Sequence, residues 1–173
     1  AKLCANVFKT VGFKVLLSEK VVPTPVLAYS AKHQNACAIM FTASHNPPEY
    51  LGMKFIPDYA GPATNEITSE IVANIDKEVE TQPTGSIETF NFVPDYINHI
   101  EKLVDLKRIA ESGLKVNYDA LHGADGVVLV EIFKKYGIPC DATNLNYDPN
   151  FGGKLPEPAE RFLGELKEKC KQT

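Results

Sequence analysis

Two adjacent prolines set the strongest constraint on this chain. Pro47 and Pro48 close the segment Thr42-Ala43-Ser44-His45-Asn46-Pro47-Pro48, which follows the apolar run Ala36-Cys37-Ala38-Ile39-Met40-Phe41. Each proline locks φ at about −65° and carries no N–H, so the pair forbids a helix interior or a central strand. The apolar run therefore reads as a buried strand that ends in a rigid turn. That turn holds Ser44 at the sheet's edge, where its hydroxyl is available as a nucleophile. The next stretch, Tyr50-Leu51-Gly52-Met53-Lys54-Phe55, reads as a short strand that carries a cation, Lys54. Its ammonium can return toward the serine.

Around this loop, strand and helix patterns alternate. Residues 1–12 place Leu3, Val7 and Val11 on one helical face, and Gly12 closes it. Phe13–Leu17 reads as a strand, 26–34 as a helix and Met53–Ile56 as a strand. A helix from Glu66 to about Val79 follows, with Thr64 or Asn65 as N-cap. Residues 81–92 lack helical periodicity and read as a linker. Beyond it the pattern gives a long helix 95–111, a strand 114–118 and a helix 125–136 closed by Gly137. A short strand 139–143, a Pro/Gly loop 146–158 and a final helix 159–171 complete it. The alternation predicts layered α/β domains with mixed, mainly parallel sheets, one over 1–82 and a second over 93–173. The second offers only two strands, a marginal sheet by itself, so each domain is expected to be incomplete.

Composition narrows the function classes. The chain has 173 residues, 44% hydrophobic and 23% charged, with a formal net charge of −4. Nothing in that balance points to nucleic acid or to an acidic membrane surface as a partner. Cys4, Cys37, Cys140 and Cys170 form no C-x-x-C pair and read as reduced thiols, with Cys37 a small core residue. No signal peptide, transit peptide or long apolar span is visible, which makes the cytoplasm the expected compartment. The chain opens at Ala1 inside a helical pattern, so its natural start is expected upstream.

The seven-residue segment 42–48 closely resembles the phosphoserine loop of the α-D-phosphohexomutases, the phosphoglucomutase/phosphomannomutase family. Gly52-Met53-Lys54-Phe55 resembles that family's Gly-x-Lys strand. Pro23-Thr24-Pro25 resembles the segment before the helix that leads to the loop. Gly61-Pro62-Ala63-Thr64 with Glu66-Ile67-Thr68 is similar to glucose-preferring members. Asp119–Gly126 and Asp148–Pro158 look like the family's second domain.

The resemblance implies a fold of related α/β domains around a shared cleft. It implies reversible movement of a phosphoryl group between O1 and O6 of a hexose phosphate, with glucose phosphate first and mannose or glucosamine phosphate open. Ser44 would carry the phosphoryl group and, through it, supply an oxygen ligand to Mg²⁺. Lys54 would be the general acid/base, which requires a lowered pKa. His45 would either stabilise the loop by a hydrogen bond or transfer a proton, and Asn46 would support the loop's own backbone.

Other polar residues carry weaker signals. His122-Gly123-Ala124-Asp125-Gly126 reads as a tight strand-to-helix turn, with phosphate binding the alternative; it is no P-loop. His33 and His99 have no partner at metal-ligand spacing, and Asp95, Asp105 and Asp148 form no paired-carboxylate motif. Lys154, in the Pro/Gly loop, has an open role. The family's Asp-Gly-Asp-x-Asp-Arg, Gly-Glu-x-Ser and Arg-x-Ser-Gly-Thr loops do not occur here. The chain is therefore expected to need the remainder of a mutase polypeptide as partner and to be inactive alone. A non-catalytic α/β binding module and one piece of a split enzyme are the alternatives.

Overall fold

A computed structural model describes residues 1–82 and 84–172; Pro83 and Thr173 lie outside the described residues. The chain divides into two compact units. The first comprises Ala1–Thr42 and Met53–Phe92, the second Ala43–Gly52 and Val93–Thr173.

The first unit contains α1 (Lys2–Thr10), β1 (Lys14–Ser18), α2 (Thr24–His33), β2 (Ala38–Thr42), β3 (Gly52–Ile56), α3 (Asn65–Ala73) and β4 (Ser86–Phe90). β1 pairs in parallel with β4, Lys14 opposite Ser86 through Ser18 opposite Phe90, and β2 pairs with β3. Pro25 sits in the first turn of α2, where a missing N–H costs nothing. Val26 of that helix is fully buried, and Ser30, also buried, donates its hydroxyl to the Val26 carbonyl at 2.7 Å. Ala5, Val22, Ala31, Ile56 and Phe92 complete the unit's buried apolar set.

The second unit contains α4 (Val93–Leu103), α5 (Leu106–Glu111), β5 (Val116–Asp119), α6 (Gly126–Tyr136), β6 (Cys140–Thr143) and α7 (Gly164–Gln172), with short 3₁₀ turns at Phe151–Gly153 and Glu160–Phe162. β5 and β6 are parallel, Val116 opposite Cys140 through Asp119 opposite Thr143. Val93, Ile97, Leu106, Ala120, Val128, Ile132 and Ile138 form its core. α6 ends at Gly137 with φ 66°, and Ile138 N–H donates to the Phe133 carbonyl at 2.9 Å. The left-handed glycine thus satisfies carbonyls that the helix end would leave open.

Six expectations are corrected. Residues 81–92 are not a linker: Gln82 N–H donates to Thr10 O at 2.7 Å, Ser86 N–H to Phe13 O at 3.1 Å, and 86–90 form β4. β-branched and aromatic side chains there, with Ile87 and Phe90 half-buried, outweigh the turn formers before them. The helix expected over 95–111 is two, because Asp105 starts a new one: its carboxylate accepts from the Arg108 N–H at 3.0 Å. The helix expected over 159–171 is likewise a 3₁₀ turn followed by α7, and that expected to reach Val79 ends as α3 at Ala73. Cys37 is exposed rather than core, and β2 is half-covered along its length rather than buried. The N-cap of α3 is Thr64, whose hydroxyl accepts from the Ile67 N–H at 3.5 Å.

Candidate active site

The connection from β2 to β3 carries the serine. Ser44 adopts φ 58°, in the left-handed region that a residue with a Cβ rarely enters. The Asn46 N–H donates to the Ala43 carbonyl at 3.1 Å, and Tyr50 N–H to Pro47 O at 3.1 Å. Ser44 thus sits inside the first of two successive backbone turns, and the second is anchored on a proline. Ser44, His45 and Asn46 are all exposed. Ser44 Oγ lies 3.2 Å from His45 Nδ1, so adjacent side chains do meet here. With the ring proton on Nε2, Nδ1 accepts the serine hydroxyl hydrogen. Lys54 stands exposed on β3, where Phe55 and Ile56 turn inward. The structure brings Ser44 and His45 together and sets Lys54 on the strand that follows their loop.

A second polar region lies where β5 and β6 end. A cavity of about 190 Å³ is lined there by Asp119, His122, Asn144, Lys154 and Glu165, with Leu121, Phe151, Gly152, Leu155 and Phe162 as its apolar and glycine wall. Asp119 Oδ1 accepts from the Leu121 N–H at 3.0 Å and from Asn144 Nδ2 at 2.7 Å. His122 Nδ1 is 3.0 Å from the Asn146 carbonyl oxygen. Lys154 Nζ donates to Glu165 Oε1 at 2.8 Å, and that carboxylate holds the ammonium pKa above its ordinary value. Asp148 accepts from Asn150 N–H and Gly152 N–H, each at 2.9 Å, and those bonds pull its carboxyl below the usual 3.8.

Of these residues the sequence pattern singled out His122 and Lys154, but not Asp119, Asn144 or Glu165 as their companions. The available signal was that a short Gly-containing turn and a loop rich in Asn, Asp and Gly follow consecutive parallel strands. Beneath them, burial pushes the Tyr118 phenol up to about 12, aided by the charge and hydrogen bond of Asp125; Asp125 is itself raised by desolvation. His33 is exposed and stacks on Tyr29 with ring centroids 5.6 Å apart.

Among the described residues, no three His, Cys, Asp or Glu side chains are grouped to hold a metal ion. A divalent cation needs several oxygen ligands, so the described residues present no preformed carboxylate set that fits Mg²⁺. Among the same residues no helix is long and apolar enough to cross a membrane.

Comparison with known proteins gives a consistent result. The probable phosphoglucosamine mutase of Methanothermobacter thermautotrophicus is 35% identical over 160 residues, covering 88% of this chain and 34% of that protein. A phosphoglucomutase of Komagataeibacter xylinus is 30% identical over 172 residues, covering 87% of this chain and 31% of its own length. The crystal structure of a putative phosphomannomutase from Thermus thermophilus superposes with a TM-score of 0.84 at 32% identity, over 93% of this chain and 37% of that one. The chain thus spans about a third of the length of the curated relatives it matches. Residues 1–82 match the family description "Phosphoglucomutase/phosphomannomutase, alpha/beta/alpha domain I", and residues 94–173 match domain II of the same family. Two consecutive domains of one family, matched in order along almost the whole chain, place this protein in the phosphoglucomutase/phosphomannomutase family.

Proposed function

We propose that this chain supplies the phosphoserine segment of a phosphohexomutase that interconverts hexose 1-phosphate and hexose 6-phosphate. The observation that carries the reading is Ser44: exposed, at φ 58° in a proline-anchored loop, with its Oγ 3.2 Å from an imidazole nitrogen. A hydroxyl presented on an exposed loop in this way can accept and return a phosphoryl group.

In the forward step the Ser44 Oγ–P bond breaks while a sugar hydroxyl oxygen forms a new P–O bond. The hydroxyl proton passes to a base, the role we give Lys54, and Ser44 oxygen regains a proton, with His45 as its hydrogen-bond partner. The sugar then carries two phosphates. After it reorients, the second phosphoryl group returns to Ser44, the serine proton leaves, and the isomeric monophosphate is released. Phosphoryl transfer is chiefly positioning and charge stabilisation. No step is routed through Mg²⁺, because the described residues offer no carboxylate group to hold it.

Glucose phosphate is the favoured substrate, since Gly61-Pro62-Ala63-Thr64 followed by Glu66-Ile67-Thr68 resembles glucose-preferring members. The relatives' names themselves span glucosamine, glucose and mannose phosphates. Turnover is assigned to a full-length phosphohexomutase carrying this segment rather than to the 173 residues alone, which span about a third of the length of the relatives they match.

Intact mass with phosphopeptide mapping tests this. Incubation of a full-length mutase that carries this segment with glucose 1,6-bisphosphate should add one phosphoryl group on Ser44, and a hexose monophosphate should remove it. Label on another serine, or none on that folded full-length protein, refutes the reading and leaves a non-catalytic binding module.

A further inference from the structure

In parallel α/β sheets, ligands settle at the carboxyl ends of the strands, where the loops diverge. The cavity of the second unit lies at that edge: β5 ends at Asp119, β6 at Thr143, and the residues that follow each strand line it. None of its lining residues belongs to the serine loop.

Its donors and acceptors point to one chemical class. A carbonyl oxygen can only accept, so His122 Nδ1 must donate to Asn146 O, and in that tautomer Nε2 is the ring's acceptor. That nitrogen faces the bare side of Gly152, where a Cβ would stand only 3.2 Å from it. Asp119 has acceptor capacity beyond the two bonds it receives on Oδ1. Asn144 and Glu165 add further acceptor oxygens. Acceptors therefore outnumber donors, which suits a ligand that brings several hydroxyl hydrogens. Phe151, Phe162, Leu121 and Leu155 supply flat apolar surface for the C–H face of a ring.

Charge excludes an anion as the preferred occupant. Two carboxylates, Asp119 and Glu165, face one ammonium, Lys154, which is already paired with Glu165 at 2.8 Å. A phosphate would meet net negative charge. Size narrows the class further: about 190 Å³ is below the ~300–1,000 Å³ of sites for drug-sized ligands, and admits one ring rather than a nucleotide.

We propose that this cavity binds the ring of an unphosphorylated, hydroxyl-rich sugar such as glucose. The site is independent of Ser44 chemistry and would stand if the phosphoserine reading failed. Its acceptors are Asp119, His122 Nε2 and Glu165, and its stacking surface is Phe151 and Phe162.

The test is a titration of the ¹⁵N-labelled 173-residue chain with glucose, glucose 6-phosphate and cyclohexane, followed by amide shifts. Glucose should move amides at 119–122, 144, 151–155 and 162–165 in a saturable manner. Glucose 6-phosphate should bind these residues at least about fivefold more weakly, and cyclohexane should not move them. Phe162→Ala should weaken glucose by about two- to tenfold, the range of a lost aromatic contact. Glu165→Gln, which removes one carboxylate from an exposed ion pair, should narrow the preference for glucose over glucose 6-phosphate. Absence of saturable shifts with glucose, or tighter binding of the phosphate, overturns the proposal. The wild-type titration decides even where Phe162→Ala does not fold.

Discussion

Gly85 is the sharpest test of the fold. It precedes β4, in a stretch whose turn formers suggest a flexible connection. A Cβ built on Gly85 would sit 2.0 Å from the Lys9 carbonyl oxygen, 2.8 Å from Lys9 C and 2.9 Å from Lys9 Cα. All three are backbone atoms of α1, so no side chain can swing aside. Relief requires the end of α1 to move by an ångström or more, or β4 to leave its register with β1. Forced overpacking of a well-packed site costs about 1–3 kcal/mol, sometimes more, and a backbone clash this deep belongs at about 3 kcal/mol or above. For a small domain this corresponds to a fall in Tm of roughly 12 °C or more. Gly61→Ala is the control in the same unit. Its Cβ would meet only Tyr59 ring carbons, at 3.0 and 3.1 Å, and Tyr59 is 47% exposed. That exposed ring, tethered by its hydroxyl to Pro62 O at 2.8 Å, need shift only a few tenths of an ångström, so the cost should stay at about 1 kcal/mol. Thermal unfolding by circular dichroism, with urea titration for ΔG, separates the two. A Gly85→Ala protein as stable as Gly61→Ala would refute the close packing of 82–90 against 10–19 and restore the linker reading.

Further outcomes follow from the site and the caps. In a full-length mutase that carries this segment, Lys54→Met should lower kcat by about tenfold or more with KM little changed, checked by a coupled glucose 1-phosphate assay; an unchanged kcat would make Lys54 a surface lysine. Asp148 has a lowered pKa through its bonds from Asn150 and Gly152. Its stabilisation of the 148–154 loop is therefore present above the ordinary 3.8 and lost as pH falls through the lower folded value, which amide exchange at Asn150 and Gly152 should report. Tyr118 is raised to about 12. Its contribution is complete below the ordinary 10.0 and is lost as pH climbs toward 12; burial and Asp125 also raise Tyr96, so a phenolate titration at 295 nm should show two late tyrosines, both shifted downward by Asp125→Asn. Asp105→Ala should cost about 1 kcal/mol by uncapping α5, measured by urea unfolding.

How much of this was legible from the chain varies by element for identifiable reasons. The serine loop was, because two prolines leave the backbone few options. Gly137 as a C-cap and Thr64 as an N-cap were too, since each is a local rule that needs no tertiary partner. β4 was not: Gly85 looks like a turn residue from sequence, and only the 2.0 Å approach to Lys9 shows that it is there for clearance. The break between α4 and α5 was missed because Ile97, Ile100, Leu103 and Val104 continue a helical stripe up to the capping Asp105. Cys37 was placed inside because an apolar run was assumed to be covered on both faces, whereas β2 is only half-covered. The cavity could not be read at all, since Asp119, Asn144 and Glu165 meet only once β5, β6 and α7 are assembled.

Left-handed backbone without glycine is a physical property that the two candidate sites share. Asn35 and Ala60 take positive φ next to ordinary helix and turn ends, where such a residue merely reverses the chain. The others are Ser44, in the proline-anchored loop, and Leu121, His122, Asn144 and Phe151, all four of which line one cavity. Each costs on the order of 1 kcal/mol relative to glycine. If turn geometry alone were required, glycine would serve at these positions at lower cost. Glycine cannot offer a hydroxyl at 44, an imidazole at 122, an amide at 144 or a ring at 151. The strain is therefore concentrated where a side chain must be presented from a backbone conformation that disfavours having one, which is what a binding or reacting surface requires and a connecting loop does not.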